Sequence, residues 1–293
     1  MTVNSAQLRS GKGANDENFP VASRLIKRRH RPVILAFYEF VRVADDIADH
    51  PTLSPTEKLA RLDRLEDSLL NHEGIEPEGV ALRAMLRRHS LPMRHAQDLL
   101  NAFRQDVTKL RYETWDELMD YCSRSAMPVG RFVLDVHGEP HASWPANDAL
   151  CAALQIINHL QDCAADYRKL NRVYIPLDAL AAHGVGVEAL AERRASPGLQ
   201  ACLCALTGRT AVLLERSHGF DAMVNDTRLA LEISVIQALA HHLLALLRVR
   251  DPLSERVHLS KVEALAAGAT GGVRALLHRF TRITPPSRRY LTP

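Results

Sequence analysis

An all-α fold is what this sequence predicts. Ala and Leu dominate the apolar residues while β-branched runs stay short, a bias toward helix over sheet. Apolar positions recur at helical spacing between proline-marked breaks, and no strand-rich block divides the chain. With 293 residues, 46% of them hydrophobic and 24% charged, the chain can bury a substantial core, which excludes disorder throughout.

The first helix runs from Pro32 to about Asp49. It ends at His50-Pro51, because the residue before a proline is pushed out of helical geometry. The next spans Pro55 to Leu70, with Ser54 as N-cap, Pro55 at N1, and Leu59, Leu62, Leu65, Leu69 and Leu70 as its buried stripe. Periodicity places further helices at roughly 78–89, 94–108, 114–136, 146–169, 197–221, 227–249 and 260–280. The main loops fall at Gly138 to Pro145 and Asn171 to Gly186. Neither a solenoid repeat nor a low-complexity tract interrupts this pattern. The expected organisation is a flexible N-terminus over 1–16, one helical domain over 17–283, and a flexible, proline-bearing C-terminus over 284–293.

Charge is close to balance, with 37 basic against 34 acidic residues and a formal net charge of +3, so nucleic acid is not an expected partner. Lys27, Arg28, Arg29, His30 and Arg31 form one basic cluster. It reads as a solvated loop ahead of the first helix, the alternative being contact with an anionic substrate or a membrane surface. An odd set of five cysteines without regular spacing reads as reduced thiols in a cytoplasmic protein. Met1 to Asn15 is polar and lacks the apolar core of a secretory signal. No apolar run is expected to approach the roughly 20 residues of a spanning helix, His241 and His242 interrupting the best candidate. The expectation is a soluble protein, peripheral to a membrane at most.

Two polar stripes carry the chemistry. Along the first helix Tyr38, Arg42, Asp45 and Asp49 fall at i, i+4, i+7 and i+11, which is one face, while Glu39 and Asp46 are expected to point elsewhere. Two carboxylates a turn apart repel by a few tenths of a kcal/mol, and aspartate is a poor helix former. That arrangement on an apolar-flanked helix calls for a cation between the carboxylates. Gln155, Asn158, Asp162 and Asp166 repeat the pattern at i, i+3, i+7 and i+11. Every donor is a hard oxygen, which suits Mg²⁺ bridging to phosphate. The matching chemistry is cleavage of a carbon–oxygen bond to diphosphate. Metal and fixed cations neutralise the leaving group, and a dry wall of Ala, Leu and Ile shelters the carbocation. Arg42 and Arg172 are candidate forks for the diphosphate.

Other motifs carry less. Glu215-x-x-His218 and Glu255-x-x-His258 match the carboxylate–histidine spacing of di-iron bundles, but no pair of lone buried glutamates is evident beside them. His137 and His141 read as loop residues around Gly138 and Pro140. There is no P-loop, no His-Glu-x-x-His and no dinucleotide glycine pattern, so no nicotinamide cofactor is expected.

At its two stripes the chain resembles the squalene/phytoene synthase family, from about Asn18 to Lys261. Asp45-Asp-Ile-Ala-Asp49 is similar to the family's first aspartate motif and Asp162-Cys-Ala-Ala-Asp166 to its second. Gln155-Ile-Ile-Asn158 and Arg172-Val-Tyr-Ile-Pro176 match flanking segments. The resemblance implies an isoprenoid synthase-type helical bundle with a central apolar cavity. It implies that Asp45, Asp49, Asp162 and Asp166, helped by Asn158, hold Mg²⁺ and diphosphate, and that Tyr38, Arg42 and Gln155 line the substrate site. Glu17-Asn-Phe-Pro-Val-Ala-Ser23, Tyr121 to Arg131 and Asn158-His-Leu-Gln-Asp162 most resemble the bacterial branch serving squalene and hopanoid synthesis. That branch expels diphosphate from presqualene diphosphate and lets water capture the rearranged cation, giving hydroxysqualene. The implied setting is cytoplasmic, at most peripheral to the inner membrane, with handover to companion pathway enzymes.

Two departures stand out. Gln161 occupies a place where many condensing relatives carry Arg, and Leu239 stands in the region where some place a tyrosine. The alternatives are a head-to-head prenyl transferase making presqualene diphosphate, phytoene or dehydrosqualene, and a non-catalytic assembly subunit. Tyr174, Asn18 and Ser125 are the candidates for directing water.

Overall fold

The computed structural model describes residues 26–260 and Glu263. Eleven α-helices account for most of it: α1 Arg31–Ala48, α2 Pro55–Leu70, α3 Pro77–His89, α4 Arg94–Thr108, α5 Trp115–Ser125, α6 Met127–His137, α7 Trp144–Leu170, α8 Leu177–Ala182, α9 Pro197–Arg216, α10 Phe220–Met223 and α11 Thr227–Leu247. Among the described residues there is no β-sheet, and a lone bridge pairs Arg111 with Val173. The expected helix at 260–280 and both termini lie outside the described residues.

Local chemistry explains the clearest boundaries. Ser54 closes a full capping box at the start of α2, its hydroxyl accepting from the Glu57 N–H while the Glu57 carboxylate takes the Ser54 N–H at 2.8 Å. Leu62, Leu65 and Leu69 are buried, whereas Leu70, expected in the same stripe, is exposed. The single helix expected over 114–136 is two: Ala126 leaves helical geometry (φ −123°), and α6 restarts with Pro128 in its first turn. The helix expected over 197–221 ends at Arg216. Ser217 and left-handed Gly219 (φ 76°) turn the chain into the short α10. The loop at 171–186 contains α8.

Two apolar cores result. One is built from α1 to α4 with Phe132 of α6, whose ring stacks on Phe37 at 3.8 Å. The other gathers α5 and α7 to α11 with Leu134 of α6. Since α6 feeds both, the seam between them runs along α1, α6, α7 and α11. There the protein encloses a cavity of about 320 Å³. Gly130 lets α6 lie hard against α7: a Cβ there would come within 2.0 Å of Asn147 Oδ1 and 2.6 Å of Cys151 Sγ.

Contrary to expectation, Pro197–Met223 and Thr227–Leu247 are long and apolar enough to cross a bilayer by length and composition. About half of each most apolar stretch, 44% and 50%, is buried inside the protein, which accounts for the apolarity as core packing. The basic cluster is also less solvated than expected. His30 is buried, Lys27 pairs with Asp226 at 2.8 Å, and Arg31 Nε donates to Ile26 O at 2.9 Å.

Candidate active site

Both polar stripes run outward from the cavity. On α1, Tyr38 lines the cavity, Arg42 follows one turn later, and Asp45 and Asp49 end the row, Asp49 as C-cap. On α7, Gln155 and Asn158 line the same cavity, then come exposed Asp162 and half-buried Asp166. The 3.6-residue period thus places amides and a phenol inside and carboxylates at the rim.

Arg172 ties the two rims together. Helix α7 closes with Asn171 in left-handed geometry (φ 53°), and the next N–H, that of Arg172, returns to Asp166 O at 3.1 Å. This reversal aims the buried Arg172 guanidinium at the end of α1. It donates to Asp49 Oδ1, to Ala48 O at 3.0 Å, and to Asp106 O on α4 at 3.0 Å. Val173 N–H donates to Leu110 O at 2.9 Å, and Arg111 Nη2 donates to Asn171 Oδ1 at 2.7 Å, so the returning strand is pinned on both sides.

Asp106 stands between the stripes and escaped sequence reasoning. Its buried carboxylate accepts from Tyr121 OH at 2.7 Å and Tyr174 OH at 2.8 Å. Burial pushes its pKa up to about 6 against the pull of Arg172. A signal existed: Leu99, Ala102, Phe103, Asp106 and Val107 share one face of α4, so Asp106 occupies an apolar position. Tyr174, instead of lining the cavity, stacks on His159 at 3.7 Å. Burial lowers the His159 pKa to about 3, which keeps the ring neutral, and the Gln155 amide lies 3.1 Å from its Nε2.

The rim carboxylates crowd one another. Enclosure by protein, then the charge of Asp49, pushes Asp45 up to about 7, even though about 35% of its side chain stays exposed. Enclosure, then Asp162 and Asp49, pushes Asp166 up to about 7. Asp49 and Asp106 raise both, so the carboxylates of the two helices act on one another. Arg42 offsets part of this, donating to Asp45 Oδ2 and Asp46 Oδ1 at 2.9 Å each, so Asp46 joins the site instead of pointing elsewhere. An oxygen-only donor set that resists carrying its full negative charge fits a hard divalent cation.

Several expected residues land elsewhere. Asn18 lies outside the described residues. Gln161 is buried and donates to Val257 O. Leu239 is buried away from the cavity, whose α11 wall is Glu232, Ile233 and Ile236. Glutamates are buried after all: Glu139, which accepts from Asp226 N–H at 2.7 Å, and Glu232. His137 ends α6 instead of sitting in a loop and lies with His30 and Asp226 in a metal-ligand-like group. There Lys27 already pairs with Asp226, and Arg29 Nε donates to His30 Nε2 at 3.0 Å.

The chain is similar to known proteins over most of its length. The family model described as squalene/phytoene synthase matches residues 13–263. A hydroxysqualene synthase of Rhodopseudomonas palustris is 58% identical over 90% of this chain and 91% of its own length. One from Sinorhizobium fredii is 55% identical, covering 94% of this chain and 95% of its own. Among solved structures, a squalene synthase of Alicyclobacillus acidocaldarius superposes with a TM-score of 0.71 at 30% identity, covering 83% of this chain and 91% of its own.

Proposed function

The chain belongs to the squalene/phytoene synthase family, and from that premise we propose that it converts presqualene diphosphate to hydroxysqualene and diphosphate, as a Mg²⁺-dependent carbon–oxygen lyase. The observation that carries the reading is the convergence of two oxygen-donor stripes at the rim of one apolar cavity. The names of the relatives support the substrate and product.

Asp45, Asp49, Asp162 and Asp166, with Asn158, are the residues that would hold Mg²⁺. When bound, the metal supplies positive charge against the departing diphosphate. Arg42 adds a fixed cation on the same face, and Arg172 holds Asp49 in place from behind. As the carbon–oxygen bond breaks, the hydrocarbon cation is left beside Tyr38, Phe37, Val41 and Leu154, in a wall that is mostly apolar. It rearranges there, and a water adds to give the alcohol. No nicotinamide cofactor takes part in this reading. The protein works in the cytoplasm, with at most peripheral contact to the inner membrane, and passes its product to companion enzymes.

Incubation with presqualene diphosphate and Mg²⁺, without reductant, tests this by product analysis. The expected outcome is a triterpene alcohol with stoichiometric diphosphate. Formation of presqualene diphosphate or a polyene from farnesyl diphosphate would instead identify a head-to-head prenyl transferase.

A further inference from the structure

We infer that Glu232 accepts the proton of the water that captures the carbocation. The inference rests on the function proposed above and assigns the step that reading leaves without a residue. Glu232 lies in α11, is 4% exposed and lines the cavity. It is the one acidic side chain among the described lining residues, in a wall otherwise built of Ile, Val, Leu, Phe and small residues. A carbocation formed in the cavity is lodged beside this carboxylate, the strongest oxygen base of the wall, where a water adding to the cation can hand over its proton.

The other polar lining groups are less suited. Tyr38, Gln155 and Asn158 belong to the rows leading to the aspartate rim, where the diphosphate leaves. Asn147 Oδ1 accepts from the Cys151 thiol at 3.6 Å, and Asn147 Nδ2 donates to Asp148 at 3.1 Å. The Ser125 hydroxyl is buried with no hydrogen-bond partner among the described residues, which makes it a holder for water. An alcohol is too weak a base to take the proton.

The step balances. A water oxygen forms a bond to the cationic carbon, one O–H bond breaks, and its proton passes to a Glu232 oxygen, leaving a neutral alcohol and a neutral carboxylic acid. Without that acceptor beside the adding water, the cation instead gives up a proton from a neighbouring carbon to the released diphosphate and leaves as a hydrocarbon.

Glu232→Gln and Glu232→Leu test the assignment, with presqualene diphosphate and Mg²⁺ as the probe and the ratio of alcohol to total diphosphate released as the readout. The Leu variant continues the apolar run of α11, so it protects the test against a fold failure in the Gln variant. The expected result is a fall in that ratio of about tenfold or more in both, with hydrocarbon making up the difference, within the range general-base removal produces. An unchanged ratio overturns the assignment, as does a complete stop of diphosphate release in folded variants, which would move Glu232 to ionisation. A larger loss of alcohol in Ser125→Ala than in either Glu232 variant also overturns it, in favour of the hydroxyl. A wild-type protein that leaves presqualene diphosphate untouched sinks the proposed function instead, so the two failures are distinguishable.

Discussion

Helices α1 and α7 carry the same aspartate pair at i, i+4, yet they neutralise it differently. On α1, Arg42 bonds Asp45 and Asp46, and Arg172 bonds Asp49, so the row comes with guanidinium partners. On α7, among the described residues no Lys or Arg bridges Asp162 or Asp166. The first row is tied into the scaffold by these bonds, whereas the second, under the proposed function, keeps its charge open for an added cation. Identical motifs can thus divide the labour of positioning and binding.

The strongest way to break this comparison is to neutralise each row in turn. Asp162→Asn and Asp45→Asn should each lower turnover by at least about a thousandfold, since metal stabilisation of the leaving group is worth several kcal/mol and each 1.4 kcal/mol is tenfold. The far-ultraviolet circular dichroism should stay helical. Mg²⁺ titration should show the greater affinity loss in Asp162→Asn, because part of the Asp45 charge removed on α1 is already offset by Arg42. Equal losses would abolish the distinction.

A smaller effect tests the scaffold role. Arg172→Met leaves the carbonyls of Ala48 and Asp106 without their donor and removes the pairing to the partly exposed Asp49, a loss of about 2 kcal/mol in urea unfolding by the usual cost of stranding buried acceptors. A mutant as stable as the parent would show Arg172 to be dispensable to the frame.

The mildest test uses pH. Asp45 and Asp166 at about 7 and Asp106 at about 6 lie above the ordinary 3.8, so the folded chain keeps protons that the unfolded chain has released. Metal-free protein should therefore lose stability as pH rises from about 4 to about 7. Saturating Mg²⁺ should raise the melting temperature more at pH 8 than at pH 5, because it competes with those protons. A Mg²⁺ shift independent of pH would place the metal away from these carboxylates.

What could be read in advance follows from the range of the forces involved. Ser54, Pro55 and Glu57 announce α2 through contacts within four residues, and the two stripes need only the helical period. The break at Ala126 is legible in principle from Pro128, although the apolar pattern runs on across it. Asp106 and Glu232 are different. Each is a lone carboxylate in an apolar row, and only packing from α5, α7 and α11 shows that they face a site instead of solvent. Arg172 is recognisable in the sequence as a cation just past the second stripe, but its reach to α1 depends on the left-handed turn at Asn171, which sets direction beyond the end of any periodic segment.

The missing side chain at Gly130 has a consequence of its own. There α6 meets α7 with bare backbone, and even one methyl group would collide with Asn147 and Cys151. The space offered to an isoprenoid chain is therefore measured in part by what this position lacks. Larger residues there would push apart the helices that separate the two cores, so the floor of the chamber cannot be raised without moving its walls. Altering which hydrocarbon fits would have to begin on the α11 side, at Ile233 and Ile236, where the lining is made of side chains that can be trimmed.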